Sequence, residues 1–218
     1  MHAHQTAFLE LALEHEVLKF GSFTLKSGRV SPYFFNLGKI SSGAAMARLA
    51  RAYAEAINRS GVVFDTLFGP AYKGIPLATA VAYALSEQGR DVPYAYNRKE
   101  AKAHGEGGTL VGGALAGKKV LIVDDVLTAG TALREAVAMI RAAGGEPVAA
   151  IIALDRMERG NGTLSAVAEM EADTGVRVIA LVSVREILSY LATAPSSAAI
   201  QPETLNSMQE YQTRFGVT

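Results

Sequence analysis

Asp124 and Asp125 stand side by side at the end of the apolar run Val120-Leu121-Ile122-Val123. After Val126 and Leu127 the chain continues Thr128-Ala129-Gly130-Thr131-Ala132. An ionised carboxylate only accepts hydrogen bonds. Two neighbouring ones suit a pair of vicinal hydroxyls, or a divalent cation bound directly or through water. The segment behind them suits the opposite charge. It opens a predicted helix, whose first N–H groups lack internal partners and carry the positive end of the dipole. Ala129 and Gly130 leave the backbone unshielded, and the hydroxyls of Thr128 and Thr131 can donate as well. The result is a phosphate cradle. One short segment thus offers acceptors for a diol and donors for a phosphate, spaced about like the two ends of a ribose 5-phosphate. The alternative is that the acids only cap the helix.

Other residues could serve an anion. Lys73 lies in Gly69-Pro-Ala-Tyr72-Lys73-Gly74, a predicted strand end where glycines let the backbone approach a diphosphate. Arg98, Lys99, Lys102 and His104 form the densest cation cluster, on a glycine-rich stretch. Such a run is ordinarily a solvated face, but a diphosphate would need this charge. Arg156 follows the apolar run ending at Asp155, on the same side of the predicted sheet. Its rigid fork suits bidentate carboxylate recognition, though a surface arginine in a charged stretch reads similarly. Lys26, beside a glycine turn, would by default be solvated. Phe34 and Phe35 occupy successive strand positions, so they face opposite sides and one belongs to the core. The segment Gly112–Lys119 nearly matches the P-loop pattern, but Lys119 stands where a hydroxyl is needed and a strand follows it instead of a helix.

The elements that must position these groups alternate. Helical spacing of Phe8, Leu9, Ala12, Leu13 and Val17 predicts a helix over 5–20, stopped by Gly21. Lys26-Ser27-Gly28-Arg29 separates two β-prone runs and predicts a hairpin. Ser41 or Ser42 caps a helix to about Asn58, ended by Gly61. Strands are then predicted at 63–69, 92–97, 118–125, 147–155 and 176–184, and helices at 75–89, 131–145, 164–175 and 202–216. Apolar strands alternating with helices indicate a mostly parallel central sheet flanked by helices, an α/β fold. Residues 97–113 fit neither pattern. A polar, glycine-rich stretch of that length inside such a domain is usually functional or disordered.

The chain has 218 residues, half of them hydrophobic, with 21 basic and 21 acidic side chains and no cysteine. A balanced charge provides no global field for nucleic acid or an anionic membrane, so an anion site must be local. The missing cysteines exclude disulfides and thiolate metal sites and fit a reducing compartment. Acids in the N-terminal apolar pattern argue against a signal peptide. No apolar run approaches the roughly 20 residues of a membrane span. The expectation is a cytoplasmic protein with no nucleic-acid or membrane partner.

The segment "VLIVDDVLTAGTA" resembles the ribose-phosphate signature of the type I phosphoribosyltransferases. "TLKSGRVSPYFFNLG", "FGPAYKGIPLA", "YNRKEAKAHGEGG" and "ALDRMERG" resemble, in the right order, segments of the orotate phosphoribosyltransferases. The resemblance implies the type I fold as one domain over 1–218, with a small N-terminal hood from about 1–40 plus C-terminal elements and a mobile catalytic loop at about 98–112. It implies transfer of the phosphoribosyl group from 5-phosphoribosyl 1-diphosphate to orotate, in pyrimidine biosynthesis. By position, the sugar phosphate would meet Lys26, Tyr72, Lys73, Arg98, Lys99, Lys102, His104 and 124–132. Orotate would meet Lys26, Phe34, Phe35, Thr128 and Arg156. Catalysis would fall to Lys102, Lys73, Asp125 and His104. Mg²⁺ would be held mainly by substrate, or through water to Asp124 or Asp125. The loop would close over the neighbouring subunit's site, implying a homodimer with shared sites. The alternatives are a purine phosphoribosyltransferase and a non-catalytic sensor of the ribosyl diphosphate.

Overall fold

The computed structural model describes residues 1–25, 27–100, 109–127, 130–160, 162–193 and 201–217. Lys26, Lys102, His104, Thr128 and Ala129 therefore lie outside the described residues.

Helix α1 (Ala3–Glu14) is followed by a hairpin of β1 (Leu18–Thr24) and β2 (Val30–Phe35), and one 3-10 turn (Leu37–Lys39) leads to α2 (Gly43–Ser60). Strand β3 (Thr66–Gly69), α3 (Gly74–Glu87), β4 (Tyr94–Asn97), β5 (Leu110–Gly112), β6 (Lys119–Val123), α4 (Thr131–Ala142), β7 (Glu146–Asp155), α5 (Ala166–Thr174), β8 (Arg177–Ser183), α6 (Val184–Thr193) and α7 (Pro202–Phe215) complete the chain.

The central sheet runs β5-β4-β3-β6-β7-β8, parallel throughout except for the antiparallel β4–β5 edge. Alternating side chains cover both faces, as a parallel sheet requires. Leu67, Leu121, Val123 and Ile151 pack with α1, α2 and α3, while Phe68, Val120, Ile122 and Ile152 pack with α4 and α5. Local signals place the helices. The Ser42 hydroxyl accepts from the Ala45 N–H at 3.2 Å, and Gly61 ends α2 in the left-handed conformation.

The expected helix over 5–20 is shorter. Glu16 turns the chain with φ 54°, and Leu18 already begins β1. Val17 kept the helical spacing because it too is buried, though from the turn. The stretch 97–113, expected to fit neither strand nor helix, holds strand residues near both ends, with Asn97 closing β4 and Leu110–Gly112 forming β5. Leu110–Gly112 pairs with β4, and Gly112 lies so close to Tyr94 that a Cβ there would stand 2.4 Å from its carbonyl oxygen. Helix α6 was not expected. It begins directly at the end of β8, where the Glu186 carboxylate accepts from the Ser183 N–H at 2.6 Å and from its hydroxyl.

The hairpin is present as expected. It rests on the residues after β7 and on α7: Arg156 Nη2 donates to Ser31 Oγ at 3.0 Å, and Tyr33 meets Tyr211 edge-on at 6.4 Å.

Candidate active site at the switch point of the sheet

Strand order reverses between β3 and β6. From β3 the chain builds outward to β4 and β5, and from β6 it builds the other way to β7 and β8. Open α/β sheets bind ligands outside the carboxyl ends of the strands at such a point. The loop after β3 carries Tyr72 and Lys73, and the loop after β6 carries Asp124 and Asp125.

The two loops meet. Lys73 Nζ lies 2.5 Å from Asp125 Oδ2, with the lysine side chain 54% and the aspartate side chain 11% exposed. Two glycines bring them together. A Cβ on Gly69 would stand 2.2 Å from the Gly74 carbonyl oxygen, and one on Gly74 would stand 2.5 Å from Pro70 Cδ and 2.9 Å from the Val123 carbonyl oxygen. The β3 loop thus folds back against the end of β6, with room only for hydrogen. Its Ala71–Tyr72 peptide is cis, and the Ala71 N–H donates to Asn97 Oδ1 at 2.9 Å.

Asp124 is held from both sides. Its N–H donates to the Ile151 carbonyl at 3.0 Å, and its own carbonyl accepts from the Tyr53 hydroxyl at 2.9 Å. Its carboxylate accepts from the Asp125 N–H at 2.9 Å. Burial, then the neighbouring Asp125, pushes the Asp124 carboxyl up to about 7, against the pull of that N–H and of Lys73. Two acids thus crowd one site, with Lys73 as the close cation among the described residues. Burial likewise pushes the Tyr53 hydroxyl well above its ordinary value, so it stays a neutral donor.

Gly130, in the left-handed conformation (φ 74°), precedes Thr131 at the start of α4, and Thr131 and Ala132 are exposed there. Val126 bridges to Leu154 and Leu127 is buried, which anchors the two residues directly after the acids. A cavity of about 580 Å³ joins this helix start to the β3 loop and the end of β4. Its lining includes Pro70, Ala71, Arg98, Lys99 and Ala132. Lys99 Nζ lies 5.0 Å from the centre of the exposed Tyr72 ring.

Arg156 follows β7 and sits above the hairpin. Its guanidinium stacks 4.1 Å over the Tyr33 ring, its Nη2 donates to Ser31 Oγ at 3.0 Å, and Nε and Nη2 each lie 2.7 Å from Glu158 Oε1. The expected fork therefore already has its Nε/Nη2 side on a carboxylate of the chain itself. Ser31, Tyr33 and Glu158 were missed. Ser31 and Tyr33 alternate with Phe34 on β2, so Arg156 meets the strand face opposite Phe34. Phe34 is 39% exposed and stacks on Phe23 at 5.5 Å. Phe35 packs against Phe8 at 6.3 Å and is the core member of the pair. The spacing of Arg156 and Glu158 was the only signal for their contact.

No group of three or more acidic or histidine side chains suited to a metal exists among the described residues. The donor set of Asp124 and Asp125 fits a divalent cation that brings most of its oxygen ligands with a substrate. No described helix is long and apolar enough to cross a membrane.

Sheet, hairpin and switch-point site together define the type I phosphoribosyltransferase class, and a phosphoribosyl transferase domain model matches residues 36–179. The orotate phosphoribosyltransferase of Edwardsiella ictaluri is 55% identical over 218 residues, covering 100% of both chains. The crystal structure of orotate phosphoribosyltransferase from Francisella tularensis is similar with a TM-score of 0.86 and 39% identity, covering 96% of this chain and 99% of that one. Leishmania donovani UMP synthase matches with a TM-score of 0.78 and 27% identity, over 98% of this chain and 43% of that chain. The chain belongs to the orotate phosphoribosyltransferase family.

Proposed function

We propose that this chain transfers the 5-phosphoribosyl group from 5-phosphoribosyl 1-diphosphate to a ring nitrogen of orotate. The products are orotidine 5′-monophosphate and diphosphate, in pyrimidine biosynthesis. The observation that carries this reading is the 55% identity, over the whole length of both chains, to a relative named for that reaction.

The site chemistry supports it. The transition state resembles an oxocarbenium ion with negative charge leaving on diphosphate, so catalysis consists of alignment and charge stabilisation. Asp124 and Asp125 accept from the ribose hydroxyls and offset positive charge at C1. The backbone N–H groups of 128–132 and the hydroxyls of Thr128 and Thr131 hold the 5-phosphate. Lys73, paired with Asp125 but half exposed, has room to turn to the diphosphate. Tyr72, Arg98, Lys99, Lys102 and His104 complete the diphosphate side, with Lys102 as the main catalytic cation and His104 as a contact or proton carrier. Lys26, Phe34, Phe35, Thr128 and Arg156 receive orotate. Asp124 or Asp125 would hold Mg²⁺ through water beside the substrate's own oxygens, and the ion would supply neutralisation of the diphosphate charge.

The same reading makes the chain one cytoplasmic domain with a hood from about 1–40 plus C-terminal elements, working as a homodimer. The loop that begins at Arg98 would then serve the neighbouring site. Diphosphate release from 5-phosphoribosyl 1-diphosphate, measured with orotate, adenine, hypoxanthine and uracil in turn, tests the assignment. Turnover with orotate alone is expected. Preference for a purine, or no turnover with any base, would refute it.

A further inference from the structure

A single carboxylate, Glu158, ties two arms of the site together. Its Oε1 receives Nε and Nη2 of Arg156 at 2.7 Å, and its Oε2 lies 3.4 Å from Nη1 of Arg29. Arg156 stands after β7, whereas Arg29 closes the hairpin turn opposite Leu25, whose N–H donates to the Arg29 carbonyl at 2.8 Å. All three side chains are largely buried, with 12% of Glu158, 16% of Arg156 and 24% of Arg29 exposed.

The surroundings hold Glu158 in place. Arg159 N–H donates to the Phe215 carbonyl at 2.9 Å, and Glu158 itself bridges to Gly216. Gln212 Nε2 donates to the Arg156 carbonyl at 3.2 Å. Helix α7 and its C-terminal end thus brace the segment 156–159 from outside. The guanidinium of Arg156 has three described supports: the Tyr33 face, the Ser31 hydroxyl and Glu158. Only the last carries a full opposite charge, and charge-assisted hydrogen bonds are roughly twice as strong as neutral ones. Glu158 therefore sets the orientation of the fork more than the other two do.

We infer that Glu158 is a positioning residue for orotate: it aims Arg156 at the base and links it to Arg29 of the hairpin, whose guanidinium also donates to the Arg159 carbonyl at 3.1 Å. This rests on the functional reading above. Glu158 touches no reacting atom in this account and acts through Arg156 and Arg29. Its loss should be felt where the base is recognised and not where the sugar diphosphate is.

The test compares Glu158→Gln, Arg156→Lys and the double variant, with KM for orotate and for 5-phosphoribosyl 1-diphosphate measured separately and folding checked by thermal unfolding. Glu158→Gln should raise the orotate KM about tenfold or more, as misplacement of a binding group does. The KM for the ribosyl diphosphate should stay within about twofold, and the effect should largely vanish when Arg156 is already lysine, because partners in one network are non-additive. An unchanged orotate KM, or effects that multiply in the double variant, would overturn the assignment. Should Glu158→Gln fail to fold, Glu158→Asp keeps the charge but draws it back by one methylene. A raised orotate KM is then expected, and an unchanged one overturns the inference. A wild-type chain without orotate turnover would instead overturn the functional reading, and this inference with it.

Discussion

Asp124→Asn should stabilise the folded chain at alkaline pH while impairing its reaction. Burial and the adjacent Asp125 raise the Asp124 carboxyl from an ordinary 3.8 to about 7. The folded chain therefore binds this proton more tightly than the unfolded chain does. That contribution to stability is complete below about pH 4 and is lost as pH rises through about 7. The full span, from 3.8 to about 7, corresponds to at most ~4 kcal/mol at 1.36 kcal/mol per tenfold. Between pH 5 and pH 8 the same linkage removes more than half of it, about 2–3 kcal/mol. Asparagine cannot ionise, yet its amide oxygen still accepts from the Asp125 N–H. The stability gap between variant and wild type should therefore widen by about 2–3 kcal/mol from pH 5 to pH 8, or roughly 5–10 °C in Tm for a domain of this size. Thermal unfolding of both proteins at the two pH values, without substrates and with a chelator, measures it. A gap that stays constant would refute the crowded-carboxylate reasoning. At pH 8 the same variant should bind the ribosyl diphosphate more weakly, since an anionic acceptor has become neutral. Stability and function would thus oppose each other at one residue.

Gly74→Ala places a Cβ 2.5 Å from Pro70 Cδ and 2.9 Å from both the Gly69 carbonyl carbon and the Val123 carbonyl oxygen. It should destabilise the fold by about 1–3 kcal/mol, as overpacking does, and lower activity by moving Lys73; denaturant unfolding with an unchanged midpoint would contradict the close approach of the two loops. Lys102→Ala should lower kcat far more than it weakens ribosyl-diphosphate binding, read by steady-state kinetics beside equilibrium binding, and an unchanged kcat would exclude its leaving-group role. Mixing inactive Lys102→Ala with inactive Asp125→Asn should restore activity through hybrid dimers. No recovery after verified subunit exchange would count against shared sites.

Much of this molecule is written in local patterns. The apolar runs of β6 and β7, the Ser42 cap and the stop at Gly61 act within a few residues, so their elements could be read one by one. The candidate site segment 120–132 was legible for the same reason: strand end, acids, Gly130 and helix start follow one another in the sequence. What escaped depends on distance. Strand β5 is three residues long and exists only because β4 offers an edge. Helix α6 lacks a separating turn, although Ser183 and Glu186 have capping-box spacing. Val17 continued a helical pattern because it is buried from a turn. Lys73 and Asp125 were each recognised, yet their pairing across 52 residues required the sheet to bring β3 beside β6. Arg156 was found as a candidate, but its supports come from β2 and from Glu158. A list of cations does not reveal which of them is already held by the chain.

The most direct measurement is kcat/KM for diphosphate release with orotate, adenine and hypoxanthine on wild type and on Asp125→Asn, side by side. Turnover with orotate alone is expected, with a marked loss in the variant while it remains folded. A wild type that prefers a purine, or an Asp125→Asn variant with full orotate activity, would contradict it.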